Sequence, residues 1–204
     1  MPKYFVGLSF VALVVGCSIH LDGAQYTPES LPRLVIDADS QQPVGGAYVI
    51  FNWWETRATL AGGQSHCVRA AFETTDRQGR FVIPAWRGVY PTVVDVYRRG
   101  MVNVGFKRGN EGVQLVRNSR TSAAERYREM LVTSGRLRCE DGAKSMVPVY
   151  QALLDEALAI RTPQTEQKLI DGFEIDRDAA MYGDEEAFRI HHQRVMARTR
   201  GDKK

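Results

Sequence analysis

LVIDADSQQPVGGAYVIF, Leu34–Phe51, is the stretch on which the fold reading turns. It opens with a β-rich run, breaks at Ser40–Gly46 with Gly, Pro and amide side chains, and resumes as a longer strand pattern. In that second run Tyr48, Ile50 and Asn52 alternate with Val49, Phe51 and Trp53, so the two sets face opposite ways on a pleated strand. Working outward, CVRAAFETT (67–75) reads as a strand, DRQG (76–79) as a tight turn and RFVIPAW (80–86) as its partner strand. AGGQSH (61–66) reads as a loop, and TVVDVYRRG and MVNVGFKRG as further strands ending in glycine-bearing turns. Short strands punctuated at such intervals predict an antiparallel β-sandwich over residues 33–117.

After Asn118 the period changes from two to that of a helix. Thr121–Thr133 starts on a hydroxyl cap and places Ala124, Tyr127 and Leu131 on one face; Val147, Tyr150, Leu154 and Leu158 repeat the spacing. Beyond Pro163 a charged helical pattern continues, interrupted near Gly172 and Gly183. The expected class is thus mainly β with a helical C-terminal part, residues 118–204. The apolar stripes read as packing faces. Glu174, Asp176 and Asp178 read as a solvated acidic face, since the calcium-loop pattern is absent.

The N-terminus carries a separate message. Tyr4–Val15 is an uncharged apolar run behind Lys3, shorter than the roughly 20 apolar residues a bilayer-spanning helix needs. It has the build of a secretory signal peptide, residues 1–16. Val14-Val15-Gly16-Cys17 resembles a bacterial lipobox, with Val where Leu is commoner. That resemblance implies diacylglycerol on Cys17, cleavage before it and acylation of the new terminus, hence a membrane partner reached through the lipid. Ser18 at the next position implies the outer membrane, facing the periplasm, in a Gram-negative envelope. The alternative is an ordinary signal peptide with a chance cysteine. Stable anchoring needs more than one acyl chain, and a triacylated cysteine supplies that. Residues 17–32, polar with Gly and Pro, read as a tether.

Composition narrows the partners. The chain has 204 residues and a formal net charge of +3; removal of residues 1–16 takes away one positive charge, Lys3. A near-neutral balance argues against nucleic acid, which demands a concentrated basic surface. The basic C-terminal residues Arg194, Arg198, Arg200, Lys203 and Lys204 read as a solvated helix end, with contact to anionic lipid as the alternative. With Cys17 lipidated, Cys67 and Cys139 are an even pair in an oxidising compartment and predict a disulfide, worth about 4 kcal/mol in the chain-entropy model. Two separate buried thiols are the alternative. No metal and no other cofactor is expected: His66 is the one ligand type near those cysteines, and His191 and His192 are adjacent and diverge on a helix.

PVGGAYV (43–49) and TDRQGRFVIP (75–84) resemble two motifs of the carboxypeptidase regulatory-like, transthyretin-like group of prealbumin β-sandwiches. Pro43, Val44, Gly46, Ala47 and Val49 match the first; Thr75, Asp76, Gly79, Phe81, Ile83 and Pro84 match the second. The resemblance spans residues 33–106 and implies a prealbumin-like Greek-key sandwich; the helical part is not explained by it. One relative in that group, the transthyretin-like 5-hydroxyisourate hydrolase, has a first-strand His, an Arg in the turn and a terminal Y-R-G-S. Here Arg80 matches the Arg, Leu34 occupies the His position, and YRRG lies mid-chain before Met101. Without that imidazole no group is placed to activate water near neutral pH.

No G-x-S-x-G, H-E-x-x-H or phosphate-cradling glycine loop occurs. The expectation is a non-enzymatic, lipid-anchored envelope protein with no catalytic residues, whose sandwich is a platform for a protein or glycan partner. Trp53, Trp54 and Trp86 are its candidate contacts, and adjacent tryptophans on a strand put one in the core and one outside. The alternatives are a structural lipoprotein of a secretion or envelope machine, by analogy of fold, and the hydrolase just described.

Overall fold

β2 (Tyr48–Thr59) organises the molecule because both of its faces are buried over Val49–Trp53. The computed structural model describes residues 33–59, 62–106, 112–117, 122–160 and 167–201. Residues 1–32, where a signal peptide, a lipidated Cys17 and a tether are expected, lie outside the described residues. β2 is central in a three-stranded sheet with β3 (Gly62–Thr74) and β4 (Val93–Tyr97), all antiparallel. A second sheet holds β1 (Leu34–Asp37), β6 (Gly112–Arg117) and β5 (Met101–Phe106) in the order β1-β6-β5. Antiparallel pairing dominates, but β1 and β6 run parallel, which corrects the purely antiparallel expectation.

The alternation along β2 now has a physical reading. Val49, Phe51 and Trp53 join Val35 of β1 and Val113 and Leu115 of β6 in one apolar cluster shared by the two sheets. Ile50, with Ala70 of β3 and Tyr97 of β4, faces the other way into a cluster built with the helices. The β3–β2–β4 sheet is therefore a middle layer, between the second sheet and the helical half. Burial of this kind stabilises by roughly 25 cal/mol per Å² of apolar surface, and two buried faces explain the near-continuous apolar run of β2.

The helices follow from local signals. α1 (Ala123–Leu137) begins with a capping box: the Glu125 amide donates to Ser122 Oγ at 3.2 Å, and the Ser122 amide donates to the Glu125 carboxylate at 2.7 Å. α2 (Val147–Ala159) carries Pro in its first turn, where a missing N–H costs nothing. α3 (Gln167–Tyr182) ends where Gly183 takes φ +92°, and α4 (Asp184–Gly201) starts with three acids suited to a helix N-terminus. Gly172 does not interrupt α3.

Other expectations are corrected. More of the described residues lie in helices than in strands, so the class is mixed rather than mainly β. Gly62–His66 is strand, continuing the β2–β3 hairpin, not a loop. Residues 81–85 make no ladder; Pro84 lacks a donor, and the chain turns at once into the Trp86–Val89 bridge. Leu131 and Leu158, placed on packing faces by their spacing, are 45% and 44% exposed, while Met130, Leu137, Leu153 and Ala157 are buried. The acidic face of α3 is not solvated either. Asp178 is 1% exposed and pairs with Arg177 and, at 2.6 Å, with Arg194 of α4. Asp176 pairs with Arg138, and Glu174 and Asp171 with Arg198. Arg194 and Arg198 are thus inter-helix partners rather than a free basic end.

Candidate binding surface

The helical half is fixed to the sheet edge by backbone and by a covalent bond. Cys67 of β3 is joined to Cys139, two residues past α1, with Cα atoms 4.8 Å apart. The expected disulfide is present. On either side of it the chain Cys139–Asp141 adds to β3 as a short strand: Glu140 N–H donates to Cys67 C=O, Asp141 N–H to Val68 C=O, and Ala70 N–H to Asp141 C=O. A register shift between Trp53 and Trp54 makes this possible. Trp53 opposes Arg69 and Trp54 opposes Cys67, leaving Val68 as the extra residue of a bulge. The bulge brings Cys67 onto the same face as Ala70, the face that meets the helices.

The three tryptophans separate. Trp53 is 3% exposed, donates its indole N–H to Val89 C=O at 3.0 Å and packs edge-on to Trp86; it is a core residue and offers no surface to a partner. Trp54 is 38% exposed. Beyond it β2 and β3 project as a two-stranded ribbon, exposed from Trp54 to Ser65 apart from residues 60 and 61, which lie outside the described ones. Trp86 is half-buried between two cations, with the Arg87 guanidinium 4.5 Å and the Arg69 guanidinium 5.6 Å from its ring. Sequence reading found the tryptophans but not these arginines, because the bulge and the turn at Arg87 (φ +50°) that place them leave no periodic signal.

At the base of the ribbon Glu140 is met by Arg57 at 3.3 Å and by His66 at 3.9 Å. Arg69 pairs with Asp141 at 2.6 Å. Trp86 packs with Trp53 on one face of β2, while Trp54 points to the other face, beside the disulfide; the two are separate aromatic spots, and Trp54 is the one set among the Glu140 and Asp141 ion pairs. A hydrolytic pair is not assembled. His66 pairs with Glu55 at the root of the ribbon, while Arg80 follows the opposite end of β3. Thr74 lies eight positions along β3 from His66, roughly 26 Å at the usual rise. Arg80 instead bridges Leu34, the position that carries His in the hydrolase.

A second polar constellation lies between sheet and helices. Glu156 of α2 is 2% exposed and accepts from Tyr97 Oη at 2.8 Å, Arg126 Nη2 at 2.8 Å and Gly100 N–H at 3.3 Å. Burial, then the adjacent Glu156 charge, push the Tyr97 phenol far above its ordinary range, so it is a fixed donor and not a base. Burial likewise raises Tyr150. Asp95 of β4 pairs with Arg136 at 2.7 Å, and Asn52 donates to Arg136 C=O at 2.6 Å. These groups read as structural cement, since every charge meets an opposite one. Among the described residues no set of three or more His, Cys, Asp or Glu side chains could hold a metal ion, and no helix is long and apolar enough to cross a membrane. No protein-family model, no curated protein and no solved structure matches this chain.

Proposed function

We propose that the chain is a lipid-anchored, non-enzymatic protein of the bacterial envelope that presents a prealbumin-like Greek-key β-sandwich, stiffened by its helical half, to a protein or glycan partner. The observation that carries this reading is Trp54: a large aromatic left 38% exposed at the root of a projecting ribbon, where a disulfide and an added strand tie β3 to the helical half. Rigid aromatic anchors give contact area at little entropic cost. Two supports back the sandwich. The two sheets share one apolar cluster, and the PVGGA and TDRQG motifs interlock: Ala47 N–H donates to Thr75 Oγ1 at 2.9 Å and Thr75 N–H returns to Ala47 C=O at 2.9 Å. The lipid anchor is supported by the Val14–Cys17 lipobox resemblance.

The test is a cross-link in intact membranes followed by pull-down, comparing the unmodified chain with Trp54→Ala and Cys17→Ser. Recovery of one protein or one glycan fraction, lost in both variants, is the expected result. One protein in stoichiometric amount would place the chain in an assembly of the envelope-machine kind. Equal recovery from Trp54→Ala would contradict the role given to that surface.

A further inference from the structure

Three connections distant in sequence meet at one end of the two sheets. The β1–β2 connection doubles back along β1, with Val44 N–H on Val35 C=O at 2.9 Å, and reaches Gly46, whose carbonyl accepts Arg98 Nη1 at 2.7 Å. The Asp76–Gly79 turn lies on that connection: a Cβ on Gly45 would come within 2.8 Å of Asp76 C=O and 3.2 Å of Arg77 Cα. Arg80 bridges Leu34, and Phe81 N–H donates to Arg33 C=O. Arg77, Arg80 and Arg98, with Arg99 next to Arg98, are therefore brought to the same end of the sheets as Arg33, where residues 1–32 join the described chain.

These four arginines are exposed, and among the described residues none is ion-paired to a carboxylate. Most arginines elsewhere meet an acid, Arg126, Arg136, Arg138, Arg177, Arg194 and Arg198 among them, whereas here the four that meet none stand together. Among the described residues the acids near this end are engaged elsewhere: Asp76 Oδ1 accepts from the Gln78 and Arg80 amides at 2.9 and 2.8 Å, and Glu156, which accepts from the Gly100 amide, is buried and paired with Arg126. Val82, 76% exposed, projects two residues beyond Arg80. Unpaired guanidiniums around an apolar tip suit a surface of phosphate headgroups, where planar forks can meet phosphate oxygens two at a time.

We infer that this end of the sheets docks on the phosphate headgroups of an anionic membrane, through Arg77, Arg80, Arg98 and Arg99. Membrane rather than nucleic acid is the occupant because the anchored segment enters at Arg33; to that extent the inference rests on the proposed lipid anchor. The arginines would set how the protein lies on the bilayer, turning the Trp54 ribbon, at the opposite end of β2, away from it.

The experiment is vesicle co-sedimentation of the full chain carrying Cys17→Ser, which has no acyl group. Phosphatidylcholine vesicles set the baseline contributed by the apolar N-terminal run; phosphatidylcholine–phosphatidylglycerol vesicles report the charge. Binding above baseline on the anionic vesicles is expected. It should fall about 25-fold for Arg98→Gln/Arg99→Gln and similarly for Arg77→Gln/Arg80→Gln, roughly fivefold per arginine. It should weaken with salt and stay unchanged for Arg128→Gln on α1. Arg99→Gln alone, whose side chain makes no backbone hydrogen bond, guards against misfolding and should lose about fivefold.

Equal binding to both vesicles, or arginine variants that bind like the parent, would overturn the inference. So would release by inorganic phosphate at matched ionic strength, which marks a small-anion site, or preference for DNA over the anionic vesicles. Because the readout needs no acylation, its failure leaves the anchor standing, and failure of the anchor leaves the vesicle result standing.

Discussion

Gly142 passes the carbonyl of Ala70 with no room for a side chain: a Cβ there would collide with that oxygen, and the backbone holds φ +91°. This contact closes the short added strand Cys139–Asp141 against β3 before the chain enters the 3-10 turn Ala143–Met146 and α2. The helical half is joined to the sheet here.

Gly142→Ala should therefore destabilise by about 3 kcal/mol, from left-handed strain plus displacement of the added strand. Denaturant midpoints measure it. Amide exchange should speed up first at Ala70, Glu140 and Asp141, whose N–H groups form that pairing.

Cys67→Ser/Cys139→Ser should lower stability by about 4 kcal/mol, since the bond closes a loop of 72 residues. The effect should be less than additive with Gly142→Ala, because both act on one clip. Double-mutant denaturation tests this.

Trp53→Ala should cost about 3–5 kcal/mol and Trp54→Ala no more than about 0.5 kcal/mol, although the two are neighbours. One fills the core shared by the sheets and the other stands outside it. Thermal melts of the two variants separate packing from surface.

Glu129 gives a pH signature. Burial, then the Asp95 charge, raise its carboxyl above the ordinary carboxylate value, with Arg136 acting weakly in the other direction. The folded state then holds a proton that the unfolded state releases first, so this group makes stability fall as pH rises through the interval above 4.5. Glu129→Gln should raise Tm at neutral pH, and the gain should vanish below that interval. Asp171 has the opposite sign: burial alone would raise it, but hydrogen bonds from Arg198 and Gln167 outweigh that and lower it. Its contribution is present at neutral pH and lost as pH falls through its lowered value, so Asp171→Asn should destabilise at pH 7 and not in strong acid.

Much of this fold was legible because it rests on local periods. The two-residue alternation of Tyr48–Trp53 named both faces of β2 correctly, and the hydroxyl cap before Ala123 announced α1, while the answering Glu125 of the capping box went unread. The Cys67–Cys139 pair followed from counting cysteines once Cys17 is set aside for lipid. What escaped depends on partners far along the chain. Asn52, Asp95, Glu156 and Asp178 are buried polar residues, and nothing near them in sequence reveals Arg136, Arg126 or Arg194. The parallel β1–β6 pairing is likewise a property of the assembled sheets. The helix faces were misplaced by about one position at Leu131 and Leu158, because α1 and α2 meet several elements at once and period alone does not say which flank is covered. The tryptophans were half legible: alternation put Trp53 and Trp54 on opposite faces, while the bulge at Val68 and the arginines beside Trp86 left no local trace.

The most direct test of the envelope reading is radiolabelled palmitate incorporation in a Gram-negative host, with membrane fractionation of the same cells. Anchoring predicts label on the unmodified chain, recovery with the outer membrane, and loss of both in Cys17→Ser. An unlabelled chain that fractionates identically with and without Cys17 would contradict the lipid anchor and, with it, the proposed place of this protein in the cell.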